Sequence, residues 1–314
     1  MAEFLLRRLL LAAIVVLTVS FVIFILARLV PTSPALLVLG ADAAPAEIAA
    51  FEQEHGLDLP IAIQYAHWLR GVVTRFDFGT SYVSGRSVTD EMIRTVPVTF
   101  ELIIVSMLLC LVIAVPFGVL SAAYPNGPLD HALRIFSVLG VSTPGFWLGL
   151  ILILVFSVRA HWLPPGDLPP IRDGVLAHVR ALVLPAFCLA IYYTAMISRM
   201  TRSSVLEVLG QDYVRTAVAM GLSRRRIWLV YILKNAMIPI VSVAAMACGY
   251  MFGWAIVIEQ VFNLPGICRS LLAAIFSRDY NIVQAAVLVV TIAFVSLNML
   301  ADAAFRILNP RVSK

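Results

Sequence analysis

Residues Gln211–Pro239 read QDYVRTAVAMGLSRRRIWLVYILKNAMIP. This interval holds a short helical patch, a glycine, a serine and three consecutive arginines. It lies between two apolar runs, Leu182–Met200 and Ile238–Ile258. A bilayer takes about 20 mostly apolar residues per crossing, because backbone groups in lipid must bond within their own helix. Working outward, four more such runs stand at roughly Leu9–Val30, Val98–Ala123, Leu133–Val158 and Val283–Ala304. The chain is 13% charged, where soluble domains carry about 25%, and its mean hydropathy is +0.95. The sequence therefore predicts an all-α membrane protein with about six transmembrane helices. Arg7 and Arg8 precede the first run as they would in a secretory signal. The run exceeds the ~7–15 residues of a signal core, and no small-residue cleavage site follows Arg28, so it reads as a retained span.

Six spans return both termini to one side. With that side in the cytoplasm, the inner segments hold Arg134, Arg199, Arg202, Arg215, Arg224, Arg225, Arg226 and Lys234, an excess that matches the positive-inside rule. The net charge of +5 is then mainly a topology signal. Nucleic-acid binding explains it poorly, because the basic residues are dispersed among spans. On the outer side, residues 31–97 form an insert with helical patterns at Ala46–His55, closed by Gly56, and at Pro60–Leu69. It reads as a small cap on the outer mouth in preference to a separate substrate-binding domain. The loop His161–Arg180 is proline-rich without periodicity, and Glu259–Ile282 contains the turn Asn263-Leu264-Pro265-Gly266.

Several chemistries are missing. Neither lysine, Lys234 or Lys314, follows the glycine of a G-x-x-x-x-G-K-[ST] loop, so the chain has no P-loop for ATP hydrolysis. The five histidines show no metal-ligand spacing. Cys110, Cys188 and Cys248 fall inside spans as small apolar residues, and Cys268 stands alone in an outer loop, so no disulfide framework is expected. Ionisable groups are scarce at mid-depth, with Glu101, Glu259 and Asp302 near span ends. That argues against a proton- or sodium-coupled carrier. Gly145-x-x-x-Gly149 and Gly249-x-x-x-Gly253 permit close helix approach, read here as packing within the chain. Ser142, Thr143, Tyr192, Tyr250 and Trp254 can line a path, though polar and aromatic residues in spans also serve as interhelical bonds and interface anchors.

Within the opening stretch, Asp212 can cap a helix whose apolar stripe is Tyr213, Ala217 and Met220. Gly221 fits the position that ends it, and Ser223 can cap the next helix. Arg224, Arg225 and Arg226 then fall in a first turn, where the helix dipole disfavours cations, so they need anionic lipid or an acidic partner. An ordered apolar stripe beside such a cluster suits insertion into a partner's groove.

Asp212–Pro239 resembles the cytoplasmic EAA-type loop of permease subunits in ATP-binding-cassette importers, in particular those of the dipeptide/oligopeptide/nickel family. The resemblance covers essentially the whole chain. RRLLLAAIVVLTVSFVIFILARLVP is similar to that family's first span, HGLDLPIAIQYAHWL with DFGTSY to its outer insert, and VSTPGFWLGLILILVFSVRAHWLP to its third span. EQVFNLPGICRSLLAAIFSRDYNIVQAAVLV and ILNPRV are similar to its C-terminal part. The long insert suggests the first of two paired permeases. Arg215-Thr216-Ala217 stands where the general loop has Glu-Ala-Ala, Cys268 where a glycine usually follows the Pro-Gly turn, and Asn309 where an acidic residue usually precedes the proline.

The resemblance implies a type I ABC importer permease architecture. Its parts would be an N-terminal helix (1–30), the extracytoplasmic insert (31–97), a core (98–306) with a coupling loop (201–237), and a tail (307–314). It implies a non-enzymatic subunit in the inner membrane, with ATP and Mg on two separate ATPase subunits or domains. Other implied partners are a second permease, an extracytoplasmic binding protein and membrane lipid. The ATPase-coupling residues would be Asp212, Tyr213, Arg215, Thr216, Ala217, Met220, Gly221, Arg224 and Arg225. The implied cargo is di- or oligopeptides, with nickel chelates or another small solute as the alternative. A secondary carrier or pore is the alternative of a different class.

Overall fold

A computed structural model describes residues 2–29, 34–40 and 42–308. The expectation for Asn309 lies outside them. Among the described residues the chain is helix and loop, with one isolated bridge between Thr80 and Ser87. The helices are α1 (Ala2–Arg28), α2 (Pro34–Leu39), α3 (Pro45–Glu54), α4 (Ile61–Arg75), α5 (Val88–Ala123) and α6 (Pro128–Ser142). There follow α7 (Gly145–Arg159), α8 (Val175–Leu209), α9 (Asp212–Ala219), α10 (Arg224–Val261), α11 (Ile267–Ser277) and α12 (Tyr280–Leu308). Two of them carry a π-helical stretch, Ile153–Arg159 at the end of α7 and Ile227–Leu233 near the start of α10.

Segments of α1, α5, α8, α10 and α12 are each long and apolar enough to cross a membrane. The sixth expected run, Leu133–Val158, is bent: α6 and α7 meet at 103°, the geometry of a broken span or a re-entrant loop. Proline explains the break. The residue before a proline is pushed out of the helical region, and the proline has no N–H to continue the ladder. Thr143 accordingly takes ψ 122, and its hydroxyl turns back to the Leu139 carbonyl at 2.6 Å. The other spans extend past their apolar runs: α8 begins at Val175, before the expected Leu182, and α5 begins inside the expected insert. Within the expected loop 201–237, residues 201–209 continue α8, residues 224–237 belong to α10, and α9 lies between them.

The chain forms two compact units. One joins residues 1–99 to residues 265–295, so the insert shares its unit with the segment around α11. The Ser81 hydroxyl donates to the Asp279 carboxylate, Asn281 Nδ2 donates to the Thr80 carbonyl at 2.6 Å, and the Ile267 N–H donates to Thr99 Oγ1 at 2.9 Å. Tyr65 of α4 packs edge-on against Phe21 and Phe24 of α1. The helix at Ile267–Ser277 was not expected; an eleven-residue apolar segment inside a loop is too short to signal a span.

The other unit joins residues 100–264 to residues 296–314 and is built around α8. α5 approaches α8 closely at Gly118, where a Cβ would stand 2.5 Å from Thr201 Cβ and 2.6 Å from the Ser198 carbonyl oxygen. A Cβ at Gly149 would meet Val261 at 3.0 Å and Phe262 at 3.2 Å, so this glycine serves packing within the chain. A Cβ at Gly253 would meet nothing within 4 Å. His178 of α8 bridges the Pro169 carbonyl at 2.6 Å and Glu101 of α5 at 2.8 Å.

Candidate coupling surface and translocation path

The anchored helix α9 is the feature that sequence reasoning singled out. Gln211, with extended backbone, takes the N-cap position, and its carbonyl accepts from the N–H groups of Val214 and Arg215. Asp212 is thus the first helical residue and not the cap. Its side chain is exposed, 3.5 Å from Arg215, in the first turn, where the dipole favours an anion. Gly221 ends the helix as expected. Its φ is +69°, its N–H bonds to the Val218 carbonyl at 3.0 Å, and the Leu222 N–H reaches back to the Ala217 carbonyl at 3.3 Å. That pair of bonds is a Schellman stop, which needs the left-handed backbone a glycine adopts without strain. Ser223 takes the next N-cap position through its carbonyl, which accepts from the Ile227 N–H at 3.0 Å, but its hydroxyl makes no capping bond.

The stripe splits in two. Val214 and Ala217 turn inward and join a cluster with Ala122 of α5, Val205 of α8, and Ile227, Ile232 and Ala236 of α10; Leu222 packs against it. Ala217 is 2% exposed, whereas Tyr213 is 41% and Met220 73% exposed. The expected contact stripe is corrected accordingly: Ala217 belongs to the root that holds α9 on the spans. The outer face carries Tyr213, Thr216 and Met220, flanked by Arg215 and by exposed Arg224, Arg225 and Arg226. Tyr213 and Ala217, four residues apart, lie only about 40° apart around the helix, so the edge between the covered and open sides of α9 runs between them.

Beside this root lies a polar cluster that sequence reasoning missed. Asp130, in the first turn of α6, is fully buried. Arg202 of α8 grips it through Nε at 2.6 Å and Nη2 at 2.9 Å. Arg134 Nη2 adds a bond at 2.9 Å, Ser121 Oγ one at 2.6 Å and the Asn126 N–H one at 2.9 Å. Spacing alone gave no signal for the main pair, which is 72 residues apart.

Four of the five expected path residues converge. Ser142, Thr143, Tyr192 and Trp254 line one cavity of 310 Å³ at the α6–α7 break, together with Tyr193 and Ile258. The rings of Tyr192 and Trp254 stack 6.1 Å apart at 28°. Tyr250 is outside this lining; it is 56% exposed on α10, one turn before Trp254. Irregular backbone at membrane depth is tolerated where it lines a cavity or is buried in protein. Among the described residues no cluster of three or more His, Cys, Asp or Glu side chains forms a metal site.

Comparison with known proteins now decides the family. Residues 114–314 match the family described as binding-protein-dependent transport system inner membrane component, and residues 1–103 match the N-terminal region of such components. The chain belongs to this family. It is a multi-pass membrane permease subunit of an ABC importer. This permease is 38% identical over 312 residues to the probable peptide ABC transporter permease protein y4tP of Sinorhizobium fredii, covering 99% of each chain. It is 34% identical to the oligopeptide transport system permease protein AppB of Bacillus subtilis and 35% identical to the glutathione transport system permease protein GsiC of Salmonella choleraesuis, again covering 99% of each chain. A crystal structure described as an amino acid ABC transporter with histidines superposes with a TM-score of 0.51 at 13% identity, covering 69% of the permease and 94% of that chain. At that identity the likeness speaks to the fold of the permease alone.

Proposed function

We propose that this permease forms half of a translocation pathway for di- or oligopeptides, paired with a second homologous permease and driven by ATP and Mg on two separate ATPase subunits. The observation that carries the coupling role is the split face of α9. Val214 and Ala217 root the helix in the spans, while Tyr213, Thr216, Met220 and the nearby arginines face outward, ready for a partner. A rooted, Schellman-stopped helix transmits a push from the ATPases into α5, α8 and α10, where a flexible loop would absorb it. In this reading α9 and both termini lie in the cytoplasm, and an extracytoplasmic binding protein delivers cargo on the other side. Cargo then passes the 310 Å³ cavity, where Ser142 and Thr143 offer polar groups and Tyr192 and Trp254 offer ring faces to chains of varied sequence. The names of the similar proteins, which speak of peptide, oligopeptide and glutathione transport, favour peptides over nickel chelates.

Gentle detergent extraction tests the assembly. A second permease and ATPase subunits should co-purify with the chain, and peptide uptake into vesicles should need ATP on the α9 side. A chain that purifies alone and accumulates peptide down a proton or sodium gradient would make it a secondary carrier.

A further inference from the structure

The unit that joins residues 1–99 to residues 265–295 has a cavity of its own. It lies beside the first turns of α5, at the Val88 end of that helix. Its volume is 480 Å³. Arg86, Arg94 and Arg269 line it, against the carboxyl groups of Glu91 and Asp279. Both acids are already engaged. Glu91 accepts from Arg94 at 2.7 Å and from Ser270 at 3.0 Å, and Asp279 accepts from the Ser81 hydroxyl. The wall is held in place before any ligand arrives. Ser84 bonds to Ser81 at 2.8 Å, Asn281 holds the Thr80 carbonyl, and the Val88 N–H closes on the Gly79 carbonyl at 2.9 Å. Ala273, Ala274 and Ile282 add apolar surface to the same lining. The site thus offers guanidinium groups, hydroxyls and a small apolar wall in one preformed space, which suits an amphipathic ligand with one anionic end better than an inorganic anion.

We propose that this cavity receives the C-terminal carboxylate end of a short peptide, held by Arg86 and Arg269, as a first station for cargo before the membrane path. The proposal rests on the importer reading above and assigns that reading a residue-level contact on the delivery side. Arginine suits the task because its planar fork meets a carboxylate with two parallel bonds, whatever the peptide's sequence. A carboxylate contributed by a docking protein would use the same chemistry, and the test separates the two sources.

The test uses the purified full chain with whatever subunits accompany it, in detergent. Its thermal midpoint is followed against millimolar trialanine, trialanine amide and acetate. Trialanine should raise the midpoint in a saturable manner, and the amide should not. Arg86→Gln and Arg269→Gln should each weaken trialanine binding about tenfold, the ratio that one charge-assisted bond of ordinary strength supplies. Arg86 is exposed, so its variant keeps the fold even if the Arg269 variant does not. Equal rises with the amide, or unchanged binding in a folded Arg86→Gln protein, would overturn the proposal. So would no rise with trialanine alongside tighter capture of an acidic binding protein, which would give the cavity to docking. Uptake of trialanine by vesicles is measured in parallel. Uptake that persists without any carboxylate-dependent shift removes this site and leaves the importer reading standing, whereas absence of uptake under every energy source removes that reading itself.

Discussion

Arg202 on α8 holds Asp130 on α6 with two bonds, at 2.6 and 2.9 Å, and Asp130 has no exposed surface. The pair fixes the start of α6 to α8, and α8 also contributes Val205 to the cluster in which Val214 and Ala217 of α9 are buried. Breaking a buried pair by removing one charge leaves the other uncompensated, at a cost of about 3–5 kcal/mol. Asp130→Asn is expected to lower the thermal midpoint sharply by that mechanism. Arg134→Gln, which removes a half-exposed partner of the same carboxylate, should cost only about 1 kcal/mol. Parallel melts of the two variants in detergent check the ranking, and equal losses would mean the cluster does not bear on one central pair.

Two glycines provide a second contrast. A methyl group at Gly118 would enter the van der Waals shell of Thr201 and the Ser198 carbonyl, whereas at Gly253 it would meet nothing within 4 Å. Overpacking a close helix contact costs about 1–3 kcal/mol. Gly118→Ala should therefore destabilise the fold and Gly253→Ala should leave the melt unchanged. Because Gly253 shares the open face of α10 with Tyr250 and Trp254, Gly253→Leu should reduce uptake without changing stability. Thermal melts and vesicle uptake of the same preparations separate the two effects.

How much of this was legible depends on how local the determinant is. The spans were legible because hydropathy over about 20 residues is a local sum, and Gly221 was legible because its stop motif needs a residue that tolerates positive φ. The break at Pro144 has a local cause, but its 103° angle does not, since the angle depends on what α7 packs against. The inward turn of Ala217 and the Asp130–Arg202 pair were hidden for the same reason: both are set by neighbouring helices far away in sequence. Ser142, Thr143, Tyr192 and Trp254 were named from residue type alone, and it is the break after α6 that brings them to one cavity.

Acidity should act on Asp279. Burial pushes its carboxyl above the ordinary 3.8, against the opposing pull of the Ser81 hydroxyl and the N–H groups of Ile282, Tyr82 and Val83. The native state therefore binds this proton more tightly than the unfolded chain does, and stability falls as pH rises from 3.8 to the raised native value. Above that value the full penalty of a buried charge is present. Asp279→Asn keeps an oxygen for Ser81 and carries no charge, so its melt should lack this contribution and should exceed the wild-type midpoint at neutral pH. Midpoints of both proteins measured from pH 4 to pH 7 check the sign, and a wild-type midpoint that rises relative to the variant across that window would contradict it.

The split face of α9 gives the most direct test of coupling, because its two sides make opposite demands. Ala217 sits in the cluster with Val205 and Ile232, so Ala217→Glu places a carboxylate in an apolar root. Burying a polar group without a partner costs about 1–3 kcal/mol in proteins, more for a charge. That variant is expected to lose stability and uptake together. Met220 is 73% exposed, so Met220→Glu should melt like the wild type. If the outer face enters a groove on an ATPase subunit, the same substitution should cut peptide-stimulated ATP hydrolysis in the assembled transporter at least about tenfold, the cost of one unpaired charge at a buried contact. The decisive quantity is therefore ATPase stimulation in a variant whose melt is unchanged. Full stimulation in Met220→Glu, and likewise in Tyr213→Glu, would remove this face of α9 from the coupling contact.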